Sequence, residues 1–450
     1  MKESRFNIWV DREDDTCVFN GSSGALLRMP LVDARALQPF LAGETGADYR
    51  PNLLADLVRG RMVIPDDLDE RVVLRQRYRV GRYDTSQLSL TLLTSLGCNF
   101  DCPYCFEAKH PSIMDDEVEA AILQLVDDRL PTIQAFNVSW FGGEPLVGKQ
   151  PLLALSDAFI ERCDRHGVAY SADIVTNGYL LDEDTCRQLR DRRVLAAQIT
   201  IDGPPDVHNR MRPLAGGKPS FDRIVHNLHH ATEYLQISVR INTTHDNYGR
   251  VEELLQILAG EGFAGKLEVY VAQLTATDTY APAPSASFQS RCFTQREYAQ
   301  VQIDFAELAE RYGFGSSGVP TPKAAPCTAV RAHDLIVGSH GELYKCWESV
   351  GNPLEVVGNI RDYTNLNGRL HKWLQFDPFS DPECQTCIAL PVCMGGCAVH
   401  AMDPKQHDNR CITFRYNYRE QVLRFVDHAE RTGTVGVGSA RALARPMDTR

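Results

Sequence analysis

The chain has 450 residues, 43% hydrophobic and 24% charged, with a formal net charge of -12. That length supports two or three domains with ample core, no stretch approaches the ~18 consecutive apolar residues of a membrane span, and the acidic balance disfavours a nucleic-acid surface, which needs clustered Lys and Arg. No apolar signal segment follows Met1-Lys2-Glu3-Ser4-Arg5, so the fourteen cysteines are expected in a reducing, cytoplasmic setting rather than in a secreted disulfide framework.

In chain order, strand-like alternation covers Phe6 to Val10 and Thr16 to Phe19, and Gly24 to Met29 follows a turn at Asn20-Gly21-Ser22-Ser23. Helical patterns over Asp33 to Leu41 and Leu53 to Arg59 and a short strand at Met62 to Ile64 complete a winged-helix-like module over residues 1–85, expected to stand apart from the chemistry. From Leu88 the rhythm becomes strand, loop, helix. Strands are expected at Leu88–Leu93, Ala135–Phe141, Ala169–Thr176, Ala196–Ile201, Ile237–Thr243 and Leu267–Leu274, mostly as apolar or β-branched runs of the kind that parallel strands bury on both faces. Helices are expected between them at Asp115–Leu130, Pro151–Arg165, Asp182–Arg190, Phe221–Tyr234 and Asn247–Glu261. The fold class is therefore α/β, with a partial (β/α)6 TIM-like barrel over residues 86–274. Residues 275–315 read as a Pro/Ala/Ser-rich lid and a bridging helix from Gln295 to Tyr312, residues 316–431 as a cysteine-rich domain, and 432–450 as a disordered tail.

Ten cysteines fall into two groups with ligand-like spacing. The first, Cys98-x3-Cys102-x2-Cys105, directly follows the first barrel strand, at the rim where α/β barrels place active sites. Three thiolates on one short loop can hold three corners of a 4Fe-4S cube and leave the fourth iron open to a substrate or cofactor. Zinc fits poorly, because no fourth ligand lies nearby. The second group is Cys327, Cys346, Cys384-x2-Cys387-x5-Cys393-x3-Cys397 and Cys411; Cys384-x2-Cys387 alone could be half of a zinc ribbon, but iron-sulfur ligation suits the whole set better. Cys17, Cys163, Cys186 and Cys292 have no such spacing and read as small buried hydrophobes.

The first group, with Tyr104 and Phe106 beside it, resembles the cluster loop of the radical S-adenosylmethionine (SAM) superfamily. Phe141-Gly142-Gly143-Glu144-Pro145 at the second strand end is similar to that family's GGEP motif, Thr176-Asn177-Gly178 closes the third strand, and Thr200-Ile201-Asp202-Gly203-Pro204, followed by His208 and Arg212, resembles its S/T-x-D-G segment. The resemblance implies that Cys98, Cys102 and Cys105 hold the SAM-cleaving cluster. It likewise implies that Gly142, Gly143 and Glu144 receive the SAM amino group, that Thr200 contacts its ribose or carboxylate, and that Tyr104, Asp202 and Arg212 complete the cofactor site.

Cys327, Gly341 and Cys346 with the five later cysteines resemble the SPASM auxiliary-cluster domain. By that family's crossed ligation, Cys327, Cys346 and Cys397 would hold one auxiliary 4Fe-4S cluster, and Cys384, Cys387, Cys393 and Cys411 a second, giving three clusters in all. Two closed cubes need eight ligands and seven thiolates are present. An open iron is expected at the first auxiliary site, with His333 or Cys292 as alternative ligands.

The N-terminal module resembles the leader-peptide-binding element of enzymes that modify ribosomally made peptides, and Trp347 stands where sulfatase maturases have Asp. The expected activity is that of a radical SAM peptide maturase, reductively cleaving SAM to a 5'-deoxyadenosyl radical that abstracts hydrogen from a precursor peptide. A flavodoxin or ferredoxin is implied as electron donor. The alternatives are an anaerobic sulfatase maturase and, in a different class, an iron-sulfur electron carrier or scaffold without radical chemistry.

Overall fold

The computed structural model describes residues 1–44, 51–107, 109–275, 291–315, 318 and 321–431. The expected disordered tail and most of the expected lid, residues 276–290, lie outside the described residues.

Near the N-terminus, β1 (Lys2–Glu3) pairs antiparallel with β5 (Val63–Ile64), and β2 (Asn7–Asp11), β3 (Asp15–Asn20) and β4 (Leu26–Pro30) form an antiparallel meander. Helices α1 (Leu31–Leu41) and α2 (Pro51–Arg59) cover one face, where Val18, Leu27, Met29, Leu37, Leu57 and Met62 share a core. A third helix, α3 (Glu70–Tyr83), has no counterpart among the expected elements. Its sequence is rich in arginine, and only Leu74, Tyr78 and Arg82 are buried, at four-residue spacing on one side.

Six parallel strands follow: β6 (Gln87–Ser95), β7 (Ala135–Gly142), β8 (Ala169–Thr176), β9 (Val194–Thr200), β10 (Gln236–Thr243) and β11 (Glu268–Gln273). The intervening helices are α4 (Asp116–Arg129), α5 (Lys149–His166), α6 (Glu183–Asp191), α7 (Pro205–Met211), α8 (Phe221–Tyr234) and α9 (Val251–Gly260). The caps show why several of these helices begin where they do. Asp115 accepts from Val118 N, and Asp182 from Thr185 N.

The sheet runs further than six strands. Its order is β11-β10-β9-β8-β7-β6-β12-β13-β14, because the second cysteine segment contributes β12 (Leu335–Val337), parallel to β6, with β13 (Glu342–Tyr344) and β14 (Gly358–Asn359) antiparallel beyond it. The cysteine-rich segment thereby joins the barrel sheet on the side next to the Cys98 loop. Helix α10 (Gln295–Arg311) opens with a full capping box between Thr294 and Glu297 and packs against the C-terminal helix Phe414–Arg431.

The N-terminal module packs against the C-terminal segment. Ile8, Val10, Cys17, Phe19 and Leu26 share a core with Ala389, Val392, Phe414, Val422 and Val426. From α3, buried Arg82 donates to the carbonyls of Val330 (3.0 Å), Trp373 (2.9 Å), Leu374 (2.7 Å) and Phe376 (2.9 Å). No other side chain has enough donors to hold four carbonyls. Arg82→Ala would orphan those of Val330, Trp373 and Leu374, while Phe376 O keeps the Tyr78 hydroxyl (2.9 Å), and an expected loss of about 3 kcal/mol can be read from the midpoint of urea unfolding.

Candidate functional site

A cavity of about 440 Å³ opens at the C-terminal ends of the parallel strands. Cys98, Cys102 and Cys105 line one wall, and Gly142, Gly143, Glu144, Thr176, Asn177, Thr200, Arg212 and Asn242 contribute from successive strand ends. Nine of the ten residues expected at the site lie on its surface: the three cysteines, Tyr104, Gly142, Gly143, Glu144, Thr200 and Arg212.

The cysteine loop is held in place from two directions. At the end of β6 the pairing with β7 slips between Leu93 and Ser95, a bulge that turns the chain into the loop. Gly143 N then donates to Ser95 O (3.1 Å) and Glu144 N to Gly97 O (3.0 Å), so the Gly142-Gly143-Glu144 backbone is laced onto the residues just before Cys98. A Cβ on Gly143 would sit 2.6 Å from Gly97 O. From the other side, Asp101 N donates to Pro213 O (2.9 Å), Ala215 N to Asn99 O (2.8 Å), and Lys109 Nζ to Phe100 O (2.8 Å). Burial pushes the Cys98 thiol up to about 11 and the Cys105 thiol up to about 12, so both are neutral near pH 7 unless a cation compensates their charge.

Glu144 is fully buried. Its carboxylate accepts from Leu146 N (3.0 Å), Thr176 Oγ1 (2.7 Å) and Asn177 N (2.8 Å), binding the ends of β7 and β8 together. Burial raises its pKa, against the lowering effect of those donors. Glu144→Ala leaves three buried donors without an acceptor, and a loss of roughly 3 kcal/mol is expected in thermal melts.

Beneath the cavity lies a second network. Tyr104 donates its hydroxyl proton to Asp202 and accepts from Arg212 Nη1 (2.6 Å) and Asn242 Nδ2 (3.2 Å). Asp202 also accepts from Asn242 N (3.0 Å), and it is the one expected site residue that does not line the cavity. Its carboxylate is spent on Tyr104 and the β10 backbone, which makes it a support for the site wall. His208 is buried and neutral, its pKa lowered mainly by desolvation. Its Nδ1 accepts from Asp202 N (3.3 Å), and its Nε2–H faces Ser220 Oγ (3.1 Å).

Sequence reading missed Glu107, Gln198, Arg240, Asn242, Gln273, Trp347 and Glu348, all on the cavity surface. Gln198 with Thr200, and Arg240 with Asn242, are polar residues at alternate positions near the ends of otherwise apolar strands, a signal of inward placement at the rim that was available. Burial pushes the Glu107 carboxyl up to about 7. Its Oε1 and Arg212 Nε are buried without hydrogen-bond partners. An unpaired acceptor, an unpaired donor, a glycine-lined wall and three thiols in one cavity suit a zwitterionic ligand beside a thiolate-held cluster.

In the C-terminal segment, Cys384, Cys387, Cys393 and Cys411 line one small cavity, and Arg415 Nη1 lies 3.0 Å from Cys411 Sγ. Cys327, Cys346 and Cys397 lie within electrostatic reach of one another. Between Cys393 and Cys397, Met394, Gly395 and Gly396 all take positive φ, and a Cβ on Gly396 would fall 1.9 Å from Arg410 O. This left-handed run parts two cysteines only four residues apart in sequence. Among the described residues, no group of three or more His, Cys, Asp or Glu side chains converges as a single metal ion would require. His333 lies instead among Arg129, Arg331, Lys345 and Asp84. Cys17, Cys163 and Cys186 are buried, and Cys292 is half-buried.

The Radical SAM superfamily profile matches residues 92–258. The chain is 24% identical over 331 residues to a serine-type anaerobic sulfatase-maturating enzyme of Klebsiella pneumoniae, spanning 67% of this chain and 79% of that one. It is 23% identical over 328 residues to a cysteine-type anaerobic sulfatase-maturating enzyme of Clostridium perfringens, spanning 67% and 86%. Two solved structures share the fold. Native anSMEcpe with bound AdoMet and Cp18Cys peptide superposes with a TM-score of 0.57 at 20% identity, over 77% of this chain and 99% of that one. Streptococcus suis SuiB bound to precursor peptide SuiA superposes with a TM-score of 0.53 at 12% identity, over 90% and 98%. With a cysteine loop on the strand-end cavity and the profile matched across it, this chain is an enzyme that carries a radical SAM domain over residues 92–258.

Proposed function

We propose that this enzyme modifies a ribosomally made precursor peptide, with Cys98, Cys102 and Cys105 holding the SAM-cleaving cluster and the seven later thiols holding two auxiliary clusters. The observation that carries the reading is the shared cavity, where the three thiols face Glu144, Thr200 and Arg212, and where Trp347 and Glu348 of the auxiliary segment complete the lining. SAM and a reduced 4Fe-4S cluster bound there supply hydrogen-atom abstraction, and auxiliary clusters supply a destination for the electron given up by an oxidised peptide. The chain's own residues orient and exclude. Glu144 offers its buried carboxylate to an ammonium, Arg212 and Asn177 offer donors to a carboxylate, and Trp347, packed edge-on against Phe141 at 4.5 Å, screens the cavity from water.

A peptide substrate is supported by the fold neighbours, anSMEcpe and SuiB, both of which were crystallised with peptides. The SuiB fold accounts for more of this chain than does that of anSMEcpe, 90% against 77%. Among the described residues strand β4 has a paired neighbour on one side only, leaving an edge to which an extended leader peptide can add. Sequence similarity to sulfatase maturases favours a second reading, formylglycine formation on a sulfatase serine or cysteine.

One experiment separates these readings. Reduced, iron-reconstituted enzyme is incubated with SAM and either a sulfatase-motif peptide or a short precursor encoded beside its gene, and 5'-deoxyadenosine and peptide mass are followed. A precursor-dependent mass change supports the proposal, whereas formylglycine as the sole product overturns it. SAM turnover with neither peptide altered would leave only the superfamily assignment. Among the described residues no helix is long and apolar enough to cross a membrane, and we place the enzyme in the cytoplasm, where a flavodoxin or ferredoxin can reduce it.

A further inference from the structure

His400 sits three residues after Cys397, in the short helix Ala398–Met402, with a buried ring. Its Nδ1 lies 3.3 Å from the carbonyl oxygen of Asn409. A carbonyl can only accept, so the ring proton belongs on Nδ1, and in the neutral ring Nε2 presents a bare lone pair. That Nε2 is buried without a hydrogen-bond partner. Facing it at 3.7 Å is Glu348 Oε2, also buried and without a hydrogen bond, which pairs with the ring only when Nε2 carries a proton. Two buried acceptors turned toward each other are costly unless a proton is held between them or another electron-poor centre lies beside them. Cys397 adjoins the same ring, and Cys346 precedes Glu348 by two residues.

We propose that His400 Nε2 is the fourth protein ligand of the auxiliary cluster assigned to Cys327, Cys346 and Cys397. The inference rests on the reading of those thiols as cluster ligands. It supplies the eighth ligand that seven thiolates leave missing. The Asn409 carbonyl then fits the usual arrangement of a ligating histidine, whose second ring nitrogen donates to an outer acceptor that fixes tautomer and orientation. His333, the histidine singled out from sequence, lies among arginines and a lysine. The auxiliary site would be closed and suited to electron transfer, with a potential above that of an all-thiolate cube. Substrate sulfur would have no vacant iron there.

The test uses the full chain carrying Cys98→Ala, Cys102→Ala and Cys105→Ala, reconstituted anaerobically and grown with 15N-histidine. About eight irons per chain are expected on this background. Pulsed EPR of the reduced protein should show a nitrogen coupled strongly enough to be bound to iron. His400→Ala should abolish that coupling while His333→Ala preserves it, and His400→Cys should retain the iron and lower the potential. About eight irons with no directly bound nitrogen would overturn the ligand assignment alone and leave His400 as an imidazolium between a thiolate and a carboxylate. So would a coupling lost in His333→Ala instead. Near-zero iron on the triple-variant background would overturn the auxiliary-cluster reading together with the proposal.

Discussion

Alanine at Cys98, Cys102 or Cys105 is expected to abolish 5'-deoxyadenosine formation and to lower bound iron by about a third, one cube of three. The three thiols share a wall of the cavity, and the loop carrying them is pinned by backbone bonds to Ser95, Gly97 and Pro213, so none can be replaced by a neighbour swinging in. The auxiliary thiols lie on a separate segment more than two hundred positions later in the chain and should keep their iron. Cys163→Ala is the matched control. That thiol is buried in the main core away from the cavity, so its removal should cost stability and leave SAM turnover intact. Product chromatography and iron analysis read both arms. Undiminished turnover in any one of the three loop variants would refute the assignment of that cysteine.

Gly142→Ala is expected to be nearly as damaging for a purely steric reason. Gly142 has φ of +130°, a conformation that L side chains rarely adopt, and an added Cβ would lie 2.2 Å from the carbonyl oxygen of Ser95. Strain of ~1–3 kcal/mol combines with an overlap that only backbone movement can relieve, for a total loss of about 4 kcal/mol. The movement would draw Glu144 and the start of the cysteine loop apart, so SAM affinity measured by calorimetry should fall by at least about tenfold. Gly167 separates the two causes. It also has positive φ, +69°, but open space where a Cβ would go, so Gly167→Ala should cost only about 1 kcal/mol. Equal melting temperatures for the two variants would show that the close approach to Ser95 is unimportant.

The barrel was legible because its strands are buried on both faces and therefore read as apolar runs. Strand Ala169–Thr176 and helix Phe221–Tyr234 fall where the pattern placed them. Helix Glu70–Tyr83 was not legible, because its buried stripe is Leu74, Tyr78 and an arginine whose burial makes sense only once four carbonyls from distant segments are in place. Strands of two or three residues, such as Gly358–Asn359, carry no periodicity and exist only through pairing with strands already formed. At the site, spacing marked the cysteines, and the resemblance to radical SAM motifs marked Gly142 to Glu144, Thr200 and Arg212. The inward-facing role of Asp202 as a prop for Tyr104, and the placement of Glu107 and Glu348 on the cavity surface, depended on side-chain directions that no motif encodes.

The joining of the first strands to the last helix bears on how this protein is made. Arg12 forms a bidentate pair with Glu430 across 418 positions, Arg28 reaches the same carboxylate, and Phe19 meets Phe414 edge-on in a core that neither end completes alone. On the ribosome, β2 and β3 emerge long before the helix Phe414–Arg431 and must wait, with apolar faces uncovered, until that helix has been synthesised. Such long-range closure is slow and exposes the waiting strands to misassembly. Because Ala389 and Val392, which lie between Cys387 and Cys393, belong to that same closing core, metal insertion at the proposed auxiliary site and the docking of β2 and β3 should be mutually reinforcing events. Recombinant yield should therefore depend on iron supply during synthesis, and purified protein given iron only afterwards should recover less of its native fold.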